Sequence, residues 1–458
     1  MKLEKRIGLA GGTAIVVGGV IGMGAYALVP SIAQKAGNAA WLAITIAMLV
    51  SVVSVLPLIQ ISSALPVAGG GYMYASRLIS PLAGTVTSFW ALLGGASSLC
   101  LISIGLVDYF APYLPFKISL HMGAMVLIGS FYFVYLLGLK VLSDLQIIMS
   151  VQMLLALLLY FIPIAMAGKA SFNAGLPHTD GFLMAVILCT NLCLGFQIII
   201  EMGEEMHNPG RNIPLSLIIG SAVIFIIYLA LLSAYTGVVG IESLALKPKL
   251  ADTVRPFVSA PVLVFVQLGM ITSGLTSYNG GAIALPREIF AMARDKMLPE
   301  QFAATNAKGN PTNAVTFFFV FVLIEMAIGQ LLDSLGLIAP FFGTDVIEFY
   351  GFMTIMGIML LTIAISISAY RLPARYAAQY AAAYIRFGKP LLVAFIVVSV
   401  LFSLFLIAIM FSKWIVVAIY VLYTALAVAY YYYRRGVLLQ QGIAPGTYFK
   451  AWQNENEN

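Results

Sequence analysis

Two short runs of residues could expose backbone polar groups to a bound molecule. The first, residues 18–24, holds four glycines, and glycine costs about 1 kcal/mol relative to alanine inside a helix. The run therefore predicts an unwound segment. Amide groups at the start of the helical segment that follows favour an anion, and released carbonyl groups accept hydrogen bonds from an ammonium group. Close packing of helices through small residues is the alternative for this run alone.

The second run is marked by Asn191, Gly195 and Gln197, which interrupt an otherwise apolar stretch between residues 181 and 203. It predicts a second unwound segment, with carbonyl groups released from helical hydrogen bonds. Taken together, the two runs favour a ligand that carries a carboxylate at one end and an ammonium group at the other. A zwitterion meets both requirements.

Carboxylates inside apolar stretches are costly and are functional candidates for that reason. Glu201 lies one helical turn after Gln197 and is the candidate proton carrier or gate residue. A carboxylate that pairs with a buried hydroxyl group, or that faces an aqueous vestibule, is the alternative. Glu325 lies midway along another apolar stretch, where we expect it to face protein and to have a structural role.

The elements that must position these residues are membrane helices. Of the 458 residues, 61% are hydrophobic and only 9% are charged, which excludes a soluble globular protein. A membrane-spanning helix needs roughly 20 apolar residues, and about twelve such stretches recur along the chain. The alternating pattern of a β-barrel is absent from the sequence. The stretches cover residues 7–29, 41–62, 83–110, 120–138, 145–167, 181–203, 213–239, 257–285, 313–334, 345–369, 390–411 and 414–433.

Basic residues predict the orientation of the chain. Most of the 24 Lys and Arg residues fall on the side of the membrane that holds the N-terminus, which places both termini in the cytoplasm. The first stretch is long and lacks a small-residue cleavage site, so we expect a retained helix of a multi-pass inner-membrane protein. The net charge of +6 follows from this topology and does not indicate a nucleic acid partner. The lipid bilayer is the expected environment.

The sequence predicts no metal site, cofactor or catalytic centre. Cys100, Cys189 and Cys193 all fall in apolar stretches, and we expect small buried side chains rather than a disulfide or a soft-metal site. The three histidines lie in different segments, so they do not form the constellation of an enzyme. A channel would need a filter motif, which the sequence lacks.

The positions of the two interrupted stretches indicate an internal repeat. If the core consists of two five-helix repeats, the interrupted stretches are the first helix of each. Matching interruptions in corresponding helices of inverted repeats are the best sequence indication of a transporter's binding site. We expect the first repeat within residues 1–167 and the second within 168–375. Residues 376–458 would add two helices and a cytoplasmic tail.

Four segments carry longer motifs: GGVIGMGAY at 18–26, PVAGGGYMYASRLISPLAG at 66–84, GEEMHNPGRNIPLSLIIG at 203–220 and PREIFAMARDKMLPEQFAATNAKGNPTNAV at 286–315. In these segments the chain resembles permeases of the amino acid, polyamine and organocation (APC) superfamily. The first segment resembles the family's break in helix one, with Met23 in place of the usual small polar residue. The others resemble the segment after helix two, the junction of helices six and seven, and the loop after helix eight.

The resemblance implies an all-α polytopic membrane protein with the five-plus-five inverted repeat of the leucine-transporter type, broken in helices 1 and 6. It implies a secondary transporter that moves amino acids or closely related small amines by alternating access. The substrate would lie between helices one and six, with residues 22–24 at its carboxylate and Gly195 and its neighbours at its amine. The nominated substrate-binding residues are Ile21, Gly22, Met23, Gly24, Asn191, Gly195, Phe196 and Gln197.

A polyamine or other organic cation is the alternative substrate, and an exchanger is the alternative mechanism. Cation permeases need acidic side chains at the site. Gln197 stands where several relatives carry a glutamate, so the resemblance argues mildly against a cation.

Coupling is where the chain departs most from the resemblance. Many relatives carry a lysine on helix five, and Met153 stands in its place; a thioether cannot titrate. Thr276 and Ser277 stand where sodium-coupled relatives supply hydroxyl ligands, although helical Ser and Thr more often bond back to the preceding turn. Sodium symport through this hydroxyl pair, proton coupling through Glu201 and uncoupled exchange all stay open.

A charge network is also expected on the cytoplasmic side. Glu204, Glu205 and Arg211 are predicted to join Arg287 or Arg294 there. A solvated loop is the alternative, because exposed ion pairs contribute little.

Overall fold

A computed structural model describes residues 5–22, 24–110, 118–136, 139–170, 179–246, 248–306, 309–342, 346–446 and 448. Across these residues the chain is helical, and we number its α-helices in chain order. Helices α1 to α7 are Leu9–Val20, Gly24–Ala36, Ala40–Ala64, Gly70–Leu78, Pro81–Phe110, Leu120–Tyr135 and Leu139–Met166. Helices α8 to α18 are Thr179–Leu192, Pro209–Val239, Leu250–Val254, Ala260–Ala284, Pro286–Arg294, Thr312–Ser334, Ala339–Phe342, Val346–Arg375, Ala377–Ala382, Lys389–Met410 and Trp414–Gln440.

Nine stretches within the described ranges are long and apolar enough to cross a membrane. Several of them hold more than one helix: Gly24–Ala64 contains α2 and α3, and Lys389–Gln440 contains α17 and α18. Helices α1 and α6 are apolar but shorter. The prediction of an all-helical, multi-pass membrane protein is therefore confirmed, and the count of twelve crossings stays a prediction.

Helix α1 lies inside the bundle, where it packs against α7, α9 and α11. Small residues allow this close approach, because a Cβ atom added at Gly220 on α9 would lie 2.5 Å from Cγ1 of Val16 on α1. The same device joins α5 to α15, where a Cβ atom at Gly94 would lie 2.9 Å from the Cα atom of Gly357. Membrane helices pack most closely where glycine removes the side chain. Glycine therefore sets both crossings, and the crossing at Gly220 holds α1 against α9.

Candidate functional site

The first glycine run interrupts the helix where the sequence predicts it. Helix α1 ends at Val20 and α2 begins at Gly24; Met23 lies outside the described residues. The amide of Ile21 donates to the Val17 carbonyl at 2.8 Å, and the amide of Gly22 donates to the Val20 carbonyl at 2.9 Å. The Gly22 amide is therefore already used by the protein. In the first turn of α2, which begins at Gly24, the amide of Ala25 donates to the Gly22 carbonyl at 3.1 Å. The other amides of that turn are the ones that a helix start leaves for a ligand.

The second interruption is also present. Helix α8 ends at Leu192, and a 3-10 helix, Phe196–Glu201, begins after Gly195. Gly195 has a φ of 112°, a conformation that residues with a side chain rarely adopt. The side chain of Asn191 donates to the Ile187 carbonyl at 3.3 Å, so its amide nitrogen supports the end of α8.

The two interruptions touch each other. A Cβ atom added at Gly195 would lie 2.8 Å from the carbonyl oxygen of Gly19, and one added at Gly19 would lie 3.2 Å from Cδ1 of Ile198. At position 195 only glycine fits, because the near atom belongs to the backbone and φ is positive. The folded chain therefore brings both interrupted backbones, predicted separately from the sequence, to one place.

Hydroxyl groups of neighbouring helices bind the carbonyl groups at the end of α1. Ser277 on α11 donates to the Gly18 carbonyl at 2.7 Å, and Tyr228 on α9 donates to the Val20 carbonyl at 3.2 Å. Ser277 also lies against Gly22, where an added Cβ atom would be 2.7 Å from its hydroxyl oxygen. One hydroxyl group thus spans the interruption from Gly18 to Gly22.

Thr276, the neighbour of Ser277, bonds within its own helix. Its hydroxyl group donates to the Ser273 carbonyl at 2.8 Å, which is the ordinary helical alternative to a ligand role. Its oxygen also lies 3.9 Å from the sulfur of Met153 on α7. Of the two hydroxyl groups nominated for a cation, only that of Ser277 contacts α1 in the described residues.

Gln197 links the second interruption to α15. Its Nε2 atom donates to the hydroxyl group of Thr362 at 3.0 Å. Its Oε1 atom is buried and has no hydrogen-bond partner among the described residues. A buried amide oxygen without a donor is costly, so this atom is an acceptor that a bound donor would satisfy. Phe196, next to it, is buried.

A cluster of ion pairs lies beyond the 3-10 helix, at the other end of that segment from Gly195. The guanidinium group of Arg287 on α12 binds both carboxylate oxygens of Glu205, at 2.7 and 3.0 Å. That of Arg294 binds both oxygens of Glu204, at 2.6 and 2.7 Å. These two pairs join as predicted. Arg211 does not take part in these ion pairs. It lies in the first turn of α9, where its side chain is exposed, and its guanidinium group lies 5.8 Å from the centre of the Tyr384 ring.

A third pair completes what we call the charged cluster. Arg77 on α4 binds both oxygens of Asp295 at 2.9 and 3.0 Å, and the hydroxyl group of Tyr72 donates to the same carboxylate at 2.5 Å. The cluster is defined by Arg77, Glu204, Glu205, Arg287, Arg294 and Asp295. It ties α4, α12 and the segment after the 3-10 helix together.

Glu201 ends the 3-10 helix and is buried beside this cluster. Its Oε1 atom accepts a hydrogen bond from the amide of Gly71 at 3.2 Å, and the next amide, that of Tyr72, donates to the carboxyl group of Glu288 on α12 at 3.0 and 3.1 Å. The partner of Glu201 among the described contacts is a backbone amide, not the buried hydroxyl group that the sequence offered as an alternative. Glu288 was missed in the sequence because it lies in a charged segment, outside the apolar stretches. The glycine triplet at 69–71 was the available sequence signal, because glycines allow another segment to approach the backbone closely.

Glu325 faces protein, as expected. It is buried on α13, and the hydroxyl group of Ser97 on α5 donates to its carboxyl group.

A profile of the amino acid permease family matches residues 7–433. The chain belongs to this family. The permease is 22% identical over 389 residues to the branched-chain amino acid permease BcaP of Bacillus subtilis, a match that covers 79% of this chain and 80% of that protein. It is 22% identical over 364 residues to an uncharacterized transporter of Mycobacterium bovis, covering 78% and 79% of the two chains.

Solved structures support the fold of the permease. A mutant manganese transporter of Eremococcus coleocola superposes with a TM-score of 0.62 over 93% of both chains, at 12% identity. At this identity the likeness concerns the fold alone. Within the described part of the permease, no group of three or more His, Cys, Asp or Glu side chains is positioned to hold a metal ion.

Proposed function

We propose that this permease is a secondary transporter that moves an amino acid across the cytoplasmic membrane by alternating access. The observation that carries the proposal is the contact between the two interrupted helices at Gly19 and Gly195. Interrupted helices are tolerated at membrane depth where they line a site that satisfies their backbone. The substrate binds beside this contact.

The groups around the contact suit the two ends of a zwitterion. The first turn of α2, from Gly24, offers amide groups and the positive end of a helix dipole to the carboxylate. The unpartnered Oε1 atom of Gln197 and the carbonyl group of Ile21 accept hydrogen bonds from the ammonium group. Met23 stays nominated for the carboxylate from the sequence alone.

An apolar side chain suits the neighbouring surface. Cδ2 of Leu192 lies 3.4 Å from the position of a Cβ atom added at Gly24. Phe196, the residue after Gly195, is buried. The name of the Bacillus relative, a branched-chain amino acid permease, makes leucine, isoleucine and valine the first substrates to test. Gln197 carries no charge, so the site lacks at this position the acid that an organic cation would need.

For the rest of the architecture the proposal keeps the sequence-based expectation. Twelve crossings arise if α1 with α2 and α8 with the 3-10 helix each count as one broken helix, and α6 as another crossing. The two repeats then fall within residues 1–167 and 168–375, with 376–458 adding α17 and α18. In the orientation with both termini in the cytoplasm, the charged cluster closes the inner end of the transport path.

The permease does not use an amine at position 153 of α7 for coupling, since Met153 occupies the place of the relatives' lysine. Sodium symport, proton symport and exchange use different groups. The hydroxyl group of Ser277 already donates to α1, and that of Thr276 donates to its own helix. Each hydroxyl oxygen still has lone pairs for a cation, so sodium symport stays open beside the other two mechanisms.

Competition for uptake in proteoliposomes tests the substrate class. Labelled leucine is taken up in the presence of unlabelled leucine, leucine methyl ester, the amine that leucine gives on decarboxylation, or a linear diamine. We expect only the intact amino acid to compete strongly, because the ester and the amines lack a carboxylate for α2. Competition by the decarboxylated amine at the strength of leucine would favour the organic-cation alternative. The same assay with other amino acids defines the side chain.

A further inference from the structure

Two buried carboxyl groups lie side by side between the second interruption and the charged cluster. The exposed fractions of Glu201 and Glu288 are 3% and 0%, and successive backbone amides of one turn, those of Gly71 and Tyr72, donate to one carboxyl group each. Two buried carboxyl groups this close do not readily both ionise, because the second charge is strongly disfavoured away from water. One of the two is therefore expected to be protonated. We call Glu201 and Glu288 the carboxyl pair.

The turn before α4 is shaped to reach the carboxyl pair. The amide of Gly71 donates to Glu201 at 3.2 Å, and the next amide, that of Tyr72, donates to both oxygens of Glu288 at 3.0 and 3.1 Å. A Cβ atom at Gly71 would lie 2.2 Å from Oε1 of Glu288. Gly69, with a φ of 69°, makes the turn that places these amides. The glycine triplet therefore exists for a close approach of backbone to carboxyl groups.

The surroundings of the pair suit one negative charge. Glu288 accepts hydrogen bonds from two neutral donors, the Tyr72 amide and the Ser88 hydroxyl group, the latter at 2.7 Å. The Gly71 amide, which donates to Glu201, is also neutral. The positive end of the α4 dipole favours one carboxylate. A second charge in contact with the first, away from water, is strongly disfavoured, as in other carboxylate pairs that share a site. One oxygen of Glu201 is buried without a hydrogen-bond partner among the described protein donors, so a proton on this oxygen would displace no existing hydrogen bond.

The positive side chains nearby are already engaged by other acids. In the charged cluster, each of the three arginines forms an ion pair with one acid: Arg287 with Glu205, Arg294 with Glu204, and Arg77 with Asp295. Arg371 and Arg375 of α15 bind backbone carbonyl groups of Arg77, Leu78 and Ile79. The other titratable or charged side chains at this end of the elements packed around the pair are Tyr72, Tyr74 and Arg77 of α4, Glu204 and Glu205 after the 3-10 helix, and Arg287, Arg294 and Asp295 at α12.

The pair joins two elements that must separate if the inner end opens. Glu201 belongs to the 3-10 helix that begins at the substrate-binding interruption, and Glu288 belongs to α12, which the charged cluster ties to the segment after that helix. Movement of either element parts the two carboxyl groups and admits water. Each hydrated carboxyl group then ionises as an ordinary glutamate does.

We propose that Glu201 and Glu288 form one proton-binding site, and that its proton crosses the membrane together with the substrate. The proton is shared while the inner end is closed and leaves for cytoplasmic water when the 3-10 helix and α12 separate. The pair binds a proton again when the inner end closes and the path opens to the outside. This inference rests on the proposed transport function, because it names the ion that drives it.

Glutamine substitutions in proteoliposomes separate proton coupling from transport itself. Glu201→Gln and Glu288→Gln mimic the protonated, uncharged pair, so we expect counterflow of amino acid to persist while stimulation of uptake by an acidic exterior is lost. Glu325→Gln is the matched control, since Glu325 is also buried and also accepts a serine hydroxyl group. It is expected to keep both activities. Size-exclusion chromatography of each purified variant checks folding.

The unsubstituted permease provides a measurement that does not depend on any variant folding. In weakly buffered vesicles, external substrate is expected to acidify the lumen. Counterflow without acidification would overturn the proton site and leave the transport function intact. Uptake by Glu201→Gln or Glu288→Gln that a pH gradient drives as strongly as in the parent would also overturn it. Absence of both counterflow and uptake for every amino acid tested would instead overturn the proposed function.

Discussion

At the residue scale, the contact between Gly22 and Ser277 leaves no room for a side chain. A Cβ atom at position 22 would lie 2.7 Å from the Ser277 hydroxyl oxygen, which itself binds the Gly18 carbonyl. We predict that Gly22→Val abolishes substrate binding, because the valine displaces Ser277 and moves the start of α2. Equilibrium binding of labelled amino acid to purified protein measures the effect.

Gly129→Val is the control for this substitution. Gly129 lies on an apolar helix, α6, and nothing lies within 4 Å of a Cβ atom added there. The control is expected to bind substrate as the parent does, and both variants are expected to be recovered as folded protein. Substrate affinity at the parent level in Gly22→Val would place the binding site elsewhere.

Sequence patterns reveal single residues when the reason for them is local. The glycines of the first run and Gly195 stand out because they break a helix that the neighbouring apolar residues would otherwise continue. Glu288 does not stand out, because only folding brings α12 against the turn at 69–71. Arg211 was assigned to the charge network from its proximity in sequence to Glu205, and the direction of α9 takes it away instead.

At the element scale, the ion pair between Arg287 and Glu205 holds α12 against the segment after the 3-10 helix. Both side chains are buried, with exposed fractions of 4% and 1%. Removing one partner leaves an uncompensated buried charge, which costs about 3–5 kcal/mol. We predict that Glu205→Ala clearly lowers the thermal unfolding temperature of the purified permease in detergent.

The pair between Lys296 and Glu300 provides the exposed counterpart. Its atoms lie 3.0 Å apart, but 66% of the Glu300 side chain is exposed, so the pair contributes little to stability. Glu300→Ala is expected to leave the unfolding temperature nearly unchanged. Equal shifts for the two alanine variants would show that the charged cluster does not hold these elements together.

Helices were predictable as elements because an apolar stretch in lipid has to satisfy its own backbone. The partners of each helix were not, because apolar side chains fit many neighbours. The crossing of α5 and α15 depends on the contact between Gly94 and Gly357. These residues are far apart in the chain, and nothing in the apolar pattern of either stretch distinguishes them from other glycines. The interruptions are the exception, since the repeat predicted that the first and sixth stretches would meet.

At the scale of the whole molecule, the orientation rests on the distribution of basic residues. All three native cysteines are buried, so single cysteines introduced at exposed positions report on their own side of the membrane. We predict that a membrane-impermeant maleimide labels Asn208→Cys and Glu300→Cys only from the cytoplasmic side, and Lys169→Cys only from outside. All three positions are exposed in the structure. Labelling of Asn208→Cys in intact cells would reverse the topology.

Alternating access makes the most direct claim about the whole molecule, because one site between the two interruptions must serve both faces of the membrane. Counterflow tests this claim: proteoliposomes are loaded with unlabelled amino acid, and entry of the labelled amino acid is measured with no ion gradient. The account predicts that internal substrate accelerates entry and that entry saturates with external concentration. Entry that rises in proportion to concentration and ignores internal substrate would identify a channel and contradict the account.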